Sequence, residues 1–173
     1  MNTASLYDKA YQNKAYNDRS DYKINIVKTW VDEFNLRTLL DVGCGRGHYL
    51  KDFPQATGLE PSTYLCENDL KHLDVINSDI QSFATDRYWD GLYCMDVLEH
   101  ISHDEIGAVL GKLYNLAPKA LYGIANHSDM LDTIELHLIQ EDANWWRKLL
   151  EKYYSKVKLT YEPLNYFVFE CDV

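Results

Sequence analysis

No stretch of this chain approaches the ~20 consecutive apolar residues that a membrane-spanning helix needs, which argues against a membrane protein. Met1-Asn2-Thr3-Ala4-Ser5 does not open a signal peptide. Cysteine is sparse: Cys44, Cys66, Cys94 and Cys171 are scattered without the paired spacing of zinc or thioredoxin-like sites. They read as reduced core thiols, and the expected location is cytoplasmic. With 4 prolines and 8 glycines there is no Pro/Gly-rich linker, and neither repeats nor low-complexity tracts appear. The 173 residues therefore read as a single domain, with 1–23 as an N-terminal segment and 24–173 as the core. Positive charge is also short, 17 Lys and Arg against 27 Asp and Glu, for a net charge of −10. Such a field repels nucleic-acid phosphates and anionic lipid, so it favours a small substrate and disfavours a nucleic-acid partner.

Apolar and aromatic residues are in ordinary supply, 46% and 13%, and their spacing alternates between helix and strand periods. Ile24 to Phe34 has helical spacing, followed by a strand from Thr38 to Val42. A short helix is expected from His48 to Asp52, then a strand from Ala56 to Glu60 and a helix opened by Pro61-Ser62. Asp74 to Ile76 and Tyr88 to Met95 are the next strands. Ser102 to Glu105 has the capping-box form ahead of a helix presenting Ile106, Val109, Leu110, Leu113 and Leu116, which Pro118 closes. Ala120 to Ala125 is a fifth strand, and Trp145, Trp146, Leu149, Leu150, Tyr153 and Tyr154 mark a last long helix. Lys156 to Tyr161 and Tyr166 to Cys171 end the chain as a hairpin. The expected fold is α/β: a doubly wound, seven-stranded, mostly parallel sheet with a C-terminal antiparallel hairpin and helices on both faces.

The segment Leu39-Leu40-Asp41-Val42-Gly43-Cys44-Gly45-Arg46-Gly47-His48 runs a strand into three glycines at alternate positions. Glycine lets the backbone turn tightly and leaves room for a ligand against the main chain. Carboxylates then follow successive strands: Glu60 after the second, Asp79 after the third and Asp96 after the fourth. A carboxylate in the Glu60 position can accept both ribose hydroxyls, and one in the Asp79 position can accept from an adenine amine, with Ile80 packing on the ring. The dinucleotide fingerprint is Gly-x-Gly-x-x-Gly, and here His48 stands at its third glycine. The surrounding acids suit a cationic sulfonium nucleoside better than a pyrophosphate.

Leu39 to Gly47, Gly58-Leu59-Glu60-Pro61-Ser62, Ser78-Asp79-Ile80 and Trp89 to Ile101 resemble the ordered motifs of class I S-adenosylmethionine-dependent methyltransferases. The resemblance implies S-adenosylmethionine as cofactor, with Gly43, Gly45 and Gly47 packed on its methionine part and Asp41 orienting the amino-acid end. It places Met95 and Asp96 beside the methionine part and the reacting methyl. It also implies an N-terminal segment that closes over the cofactor, in which Tyr7, Tyr11 and Tyr16 are candidates and Tyr11 is the one selected.

Methyl transfer from a sulfonium needs alignment, and a base only where the acceptor must lose a proton. His127 and His100 are the expected catalytic residues, each following a strand on the functional rim; His103 and His137 are further candidates. Glu99, His100 and His103 read as a solvated loop, so no metal is expected. His127 to Asn144 is long for a connection and is expected to contact substrate. Of Trp145 and Trp146, one is expected in the core, and the other as a sugar platform or homodimer contact. Arg147, Lys148, Lys152, Lys156 and Lys158 read as a solvated face. Met95-Asp96-Val97-Leu98 stands where exocyclic-amine nucleic-acid methyltransferases carry Asp/Asn-Pro-Pro-Tyr/Phe. The expected activity is methyl transfer to a small-molecule or carbohydrate-like acceptor at oxygen. The alternatives are a non-catalytic S-adenosylmethionine-binding or partner-activating subunit and a methyltransferase acting on protein or nucleic acid.

Overall fold

The computed structural model describes residues 3–12 and 20–173. The chain forms two compact units, Met1–Asp86 and Arg87–Val173. The first contains α1 (Thr3–Gln12), α2 (Asp21–Phe34), β1 (Leu39–Val42), β2 (Ala56–Glu60), α3 (Thr63–Asn68) and β3 (Val75–Asn77). α2 buries Ile24, Val27, Trp30 and Val31 at helical spacing, and Asn35 ends it in the left-handed region with φ 49°. β1 pairs in parallel with β2 and β2 with β3, with Asp41 opposite Gly58 and Glu60 opposite Asn77. Every residue of β1 and β2 is buried, the polar Asp41, Thr57 and Glu60 included.

The helix expected from His48 does not form. Gly47 O accepts from Lys51 N and Tyr49 O accepts from Asp52 N and Phe53 N, a succession of turns that ends before Pro54. The few residues between the left-handed Gly47 and the proline cannot recover the cost of helix nucleation.

The second unit contains β4 (Gly91–Met95), a 3-10 turn at Leu98–His100, α4 (Ile106–Tyr114), β5 (Lys119–Ala125), β6 (Met130–Leu131), β7 (Ile134–Glu135), α5 (Ala143–Leu150), β8 (Lys156–Tyr161) and β9 (Tyr166–Asp172). β4 and β5 are parallel, while β9 runs antiparallel to both β5 and β8. The strand order is β3-β2-β1-β4-β5-β9-β8, the expected seven-stranded, mostly parallel sheet with its antiparallel C-terminal hairpin. β6 and β7 form a separate small hairpin inside the long connection after β5.

Three local expectations need correction. β4 begins at Gly91, not Tyr88, because Trp89 N is already committed to Leu116 O. In the Ser102–Glu105 box the side chains bond each other, Ser102 Oγ to Glu105 Oε2 at 2.8 Å, and α4 starts only at Ile106. The last helix is short, eight residues from Ala143 to Leu150 behind the Asp142 cap. Turns extend its apolar stripe to Tyr154, whose hydroxyl lies 2.6 Å from that of Tyr122 on β5. Trp146, Leu150 and Tyr154 are in the core. Among the described residues no helix is long and apolar enough to cross a membrane.

Candidate functional site

β1 ends in the buried Asp41, and the chain then turns through Gly43, Gly45 and Gly47 with φ of 74°, 51° and 68°. Gly43 N and Cys44 N both donate to Leu59 O, tying the loop to β2. β2 ends in Glu60, which is 2% exposed. Its Oε2 accepts from Gly45 N at 2.9 Å and its Oε1 from Ser62 N at 2.8 Å. Burial pushes the Glu60 carboxyl up to about 7, against the pull of these two N–H groups. Each oxygen has a second lone pair, so the bonds to the loop do not exhaust the carboxylate.

Tyr11 on α1 lies over this loop: a Cβ on Gly45 would stand 3.2 Å from the Tyr11 hydroxyl. Arg46 holds it there, donating from Nη2 to Tyr11 O at 2.9 Å, stacking 5.5 Å from the Tyr11 ring and pairing through Nη1 with Asp69 at 2.5 Å. Tyr7 packs beside Tyr11 at 6.4 Å between ring centroids, while Tyr16 lies outside the described residues. Asp8 Oδ1, also on α1, accepts from Ser62 Oγ and Tyr64 N at the start of α3. Further along, Asp79 Oδ1 caps a turn by accepting from Ser82 N, and Ile80 is buried next to it.

In the second unit Met95 closes β4 opposite Gly123, and a Cβ on Gly123 would meet Met95 Sδ at 2.8 Å and collide with Tyr166 Oη. Asp96 follows with φ 59°, a left-handed conformation that costs a non-glycine residue about 1–3 kcal/mol and is common at functional sites. Its N–H is fixed to Gly123 O.

Glu99, His100 and His137 come together beyond β4. Glu99 is fully buried and its Oε1 accepts from Ala125 N at 2.8 Å, so the solvated-loop reading fails for this residue. His100 Nδ1 bonds Leu136 O at 3.0 Å, and its ring lies 4.7 Å from that of His137. Burial, with the neighbouring His137, lowers His100 to about 4, so at neutral pH it is uncharged. His137, 4% exposed, bonds His127 O through Nδ1 at 2.5 Å, and its ring lies 4.9 Å from the exposed His127 ring. His103 is elsewhere, exposed, 3.7 Å from Glu141 and packed on Trp145.

The β6–β7 hairpin places His137. Glu135 Oε1 accepts from the N–H groups of Asp129 and His137, and Oε2 from Ser128 Oγ. Those bonds, the Ser128 hydroxyl first, hold Glu135 down to about 2. A depressed carboxyl stabilises the fold above its unfolded value and loses that contribution as pH falls toward 2. Glu135→Gln is expected to speed amide hydrogen exchange of the Asp129 and His137 N–H groups roughly tenfold, since each loses a charge-assisted acceptor.

Trp146 is in the core and Trp145 is half-buried, the division expected of adjacent helical residues. Arg147, Lys148, Lys152, Lys156 and Lys158 are all exposed, as a solvated face requires. Sequence reasoning missed Asp8, Arg46 and Glu135. Arg46 carried a signal, being a cation inside the glycine loop; Asp8 and Glu135 act through contacts that no spacing announces.

A family model described as a methyltransferase domain matches residues 15–158. Similar solved structures include the magnesium protoporphyrin IX methyltransferase of Synechocystis PCC 6803 with bound S-adenosylmethionine. It is 17% identical with a TM-score of 0.66, over 87% of this chain and 78% of that one. The DhpI complex with S-adenosylhomocysteine is 12% identical, TM-score 0.71, over 97% of this chain and 93% of that one. The N-terminal domain of EvdMO1, solved with S-adenosylhomocysteine and D-fucose present, is 13% identical, TM-score 0.69, over 87% and 82%. At such identities the likeness is one of fold. No curated protein sequence matches the chain.

Proposed function

Because the chain belongs to the methyltransferase-domain family and is an S-adenosylmethionine-dependent methyltransferase of class I, we propose that it methylates an oxygen of a small-molecule or carbohydrate-like acceptor. On this reading Gly43, Gly45 and Gly47 lie against the methionine part of the donor and Asp41 orients its amino-acid end. Glu60 takes the ribose hydroxyls, Asp79 and Ile80 the adenine, and Tyr11 covers the loop. Met95 and Asp96 flank the methionine part and the methyl.

The observation that supports an oxygen acceptor is the gathering of His100, His127 and His137. A hydroxyl must lose its proton as the O–C bond forms, and a cluster of imidazoles supplies a place for that proton. His127 is its exposed member, and we assign it the proton. His100, less exposed and held through Nδ1 by Leu136 O, is its partner in the cluster. The acidic charge balance supports a small acceptor over a nucleic acid, and a sugar acceptor agrees with one structural neighbour having been solved in the presence of D-fucose. Reduced cysteines support a cytoplasmic location, and the half-buried Trp145 is our candidate for a homodimer contact.

The test is release of S-adenosylhomocysteine over a panel of hydroxylated small molecules and sugars. His127→Ala is expected to lower kcat about a hundredfold with donor affinity unchanged. Full turnover in both His127→Ala and His100→Ala would remove these histidines from proton transfer. Failure of every hydroxylated acceptor, with amine or protein acceptors turned over instead, would remove the oxygen assignment.

A further inference from the structure

We propose that Glu99, His100 and His137 bind a divalent first-row transition-metal ion, and that this ion takes an oxygen of the acceptor as a further ligand. The second half of this statement rests on the oxygen-acceptor reading above; the first half does not.

One ligand atom from each of the three residues lies within 4.8 Å of the others. A tetrahedral zinc site, with bonds of about 2.0–2.1 Å, separates its ligand atoms by roughly 3.4 Å. The widest pair therefore closes by about 1.4 Å at most, a matter of small side-chain rotations. Two imidazoles and one carboxylate suit Zn2+, Co2+, Fe2+ or Mn2+ better than Ca2+ or Mg2+, which prefer all-oxygen shells.

The surroundings are those of a ligand set. A ligating histidine usually donates its second N–H to a carbonyl or carboxylate, which fixes the tautomer and aims the other nitrogen at the metal. Here His100 Nδ1 faces Leu136 O and His137 Nδ1 faces His127 O; a carbonyl at that position selects the Nδ1–H tautomer, whose lone pair is on Nε2. Glu99 spends Oε1 on Ala125 N, which orients Oε2 as its ligand atom. Asp129 adds negative charge, its Oδ2 lying 3.8 Å from His137 Nε2. Glu135 fixes the backbone N–H of His137 itself. A fully buried glutamate beside two largely buried imidazoles is costly to assemble, and a cation compensates that cost.

Three protein ligands leave at least one position open, the arrangement of catalytic rather than structural sites. A hydroxyl oxygen in that position loses its proton at lower pH. In the transfer that follows, the acceptor O–C bond forms as the sulfonium S–C bond breaks. The S–C electron pair stays on sulfur, giving the thioether product, and the hydroxyl proton passes to His127 or water.

The experiment is metal titration of the chelator-stripped full chain with Zn2+ alone and with Co2+ alone. The expected result is one equivalent bound with a micromolar or lower Kd, and visible d–d absorption bands from Co2+. His137→Ala and Glu99→Gln, checked for fold by circular dichroism, are expected to weaken Zn2+ binding by at least about 100-fold. His103→Ala, at an exposed histidine outside the cluster, is expected to bind as the wild type does. Should either buried variant misfold, His100→Ala at the half-buried ligand replaces it. No Zn2+ uptake by the wild type at ~100 µM overturns the site, as does full binding by the cluster variants. Metal binding with no oxygen acceptor methylated sinks the acceptor reading and leaves the site standing. Oxygen methylation that is insensitive to chelator, with no metal bound, does the reverse.

Discussion

Glu60→Ala is expected to raise the Kd for S-adenosylhomocysteine by at least about a hundredfold. Two ribose hydroxyls donating to one carboxylate are charge-assisted hydrogen bonds, each contributing roughly 1.5–3 kcal/mol, and both are lost together. The same substitution strands the N–H groups of Gly45 and Ser62, so the empty protein also loses stability. Calorimetric binding separates the two effects, because the midpoint of thermal unfolding without ligand reports only the second. Wild-type affinity in Glu60→Ala would end the ribose assignment.

The raised Glu60 carboxyl adds a pH signature. Ribose hydroxyls prefer the ionised form, and with a value of about 7 only part of the population carries it at neutral pH. Donor affinity is therefore expected to fall about tenfold between pH 8 and pH 6, with proton release on binding near neutrality. The sign for stability is opposite. An acid raised on folding stabilises the native state below its unfolded value, and that contribution is lost as pH rises through about 7. A pH-independent Kd would show that Glu60 does not titrate in the donor site.

Gly47→Ala is the second substitution with a large expected effect, a loss of about 2–5 kcal/mol in unfolding free energy. At φ 68° an L side chain is strained by roughly 1–2 kcal/mol whatever the space around it. The added Cβ would also stand 2.6 Å from Leu73 Cδ1 and 3.0 Å from Leu70 Cδ2, and overpacking of this kind costs about 1–3 kcal/mol. Urea denaturation measures it, and a midpoint within error of wild type would show that the loop relaxes freely. Gly45→Ala is informative beside it, because among the described residues its Cβ meets the Tyr11 hydroxyl alone, at 3.2 Å. Its stability loss is expected to be smaller, with donor affinity bearing most of the effect.

The sequence is legible where periodicity or glycine chemistry leaves a mark. Ile24, Val27, Trp30 and Val31 announce α2, the buried runs announce β1, β2, β4 and β5, and the three glycines announce a left-handed loop. The segment after that loop has helical composition but stays a run of turns, because its few residues are bounded by Gly47 and Pro54. β6 and β7, two residues each, are too short to carry an alternating pattern. α1 carries only a short apolar stripe, in which Ala10 and Tyr11 are buried, and Asp8 and the Tyr11 carbonyl add polar ties that no spacing announces. His137 was visible as a histidine, but its place beside Glu99 and His100 depends on the hairpin that Glu135 ties. Side-chain hydrogen bonds of that kind, within a short hairpin, follow no residue period.

The hydroxyl pair of Tyr122 and Tyr154 gives the second unit an optical reporter of its own integrity. Burial holds both phenols far above the ordinary tyrosine value of about 10. At a pH near 11 an exposed tyrosine is already phenolate and absorbs in the near ultraviolet, while these two stay protonated for as long as β5 and the end of α5 remain packed. Their delayed ionisation, followed in time after an alkaline jump, is a clock for the opening of residues 87–173 that needs neither label nor ligand.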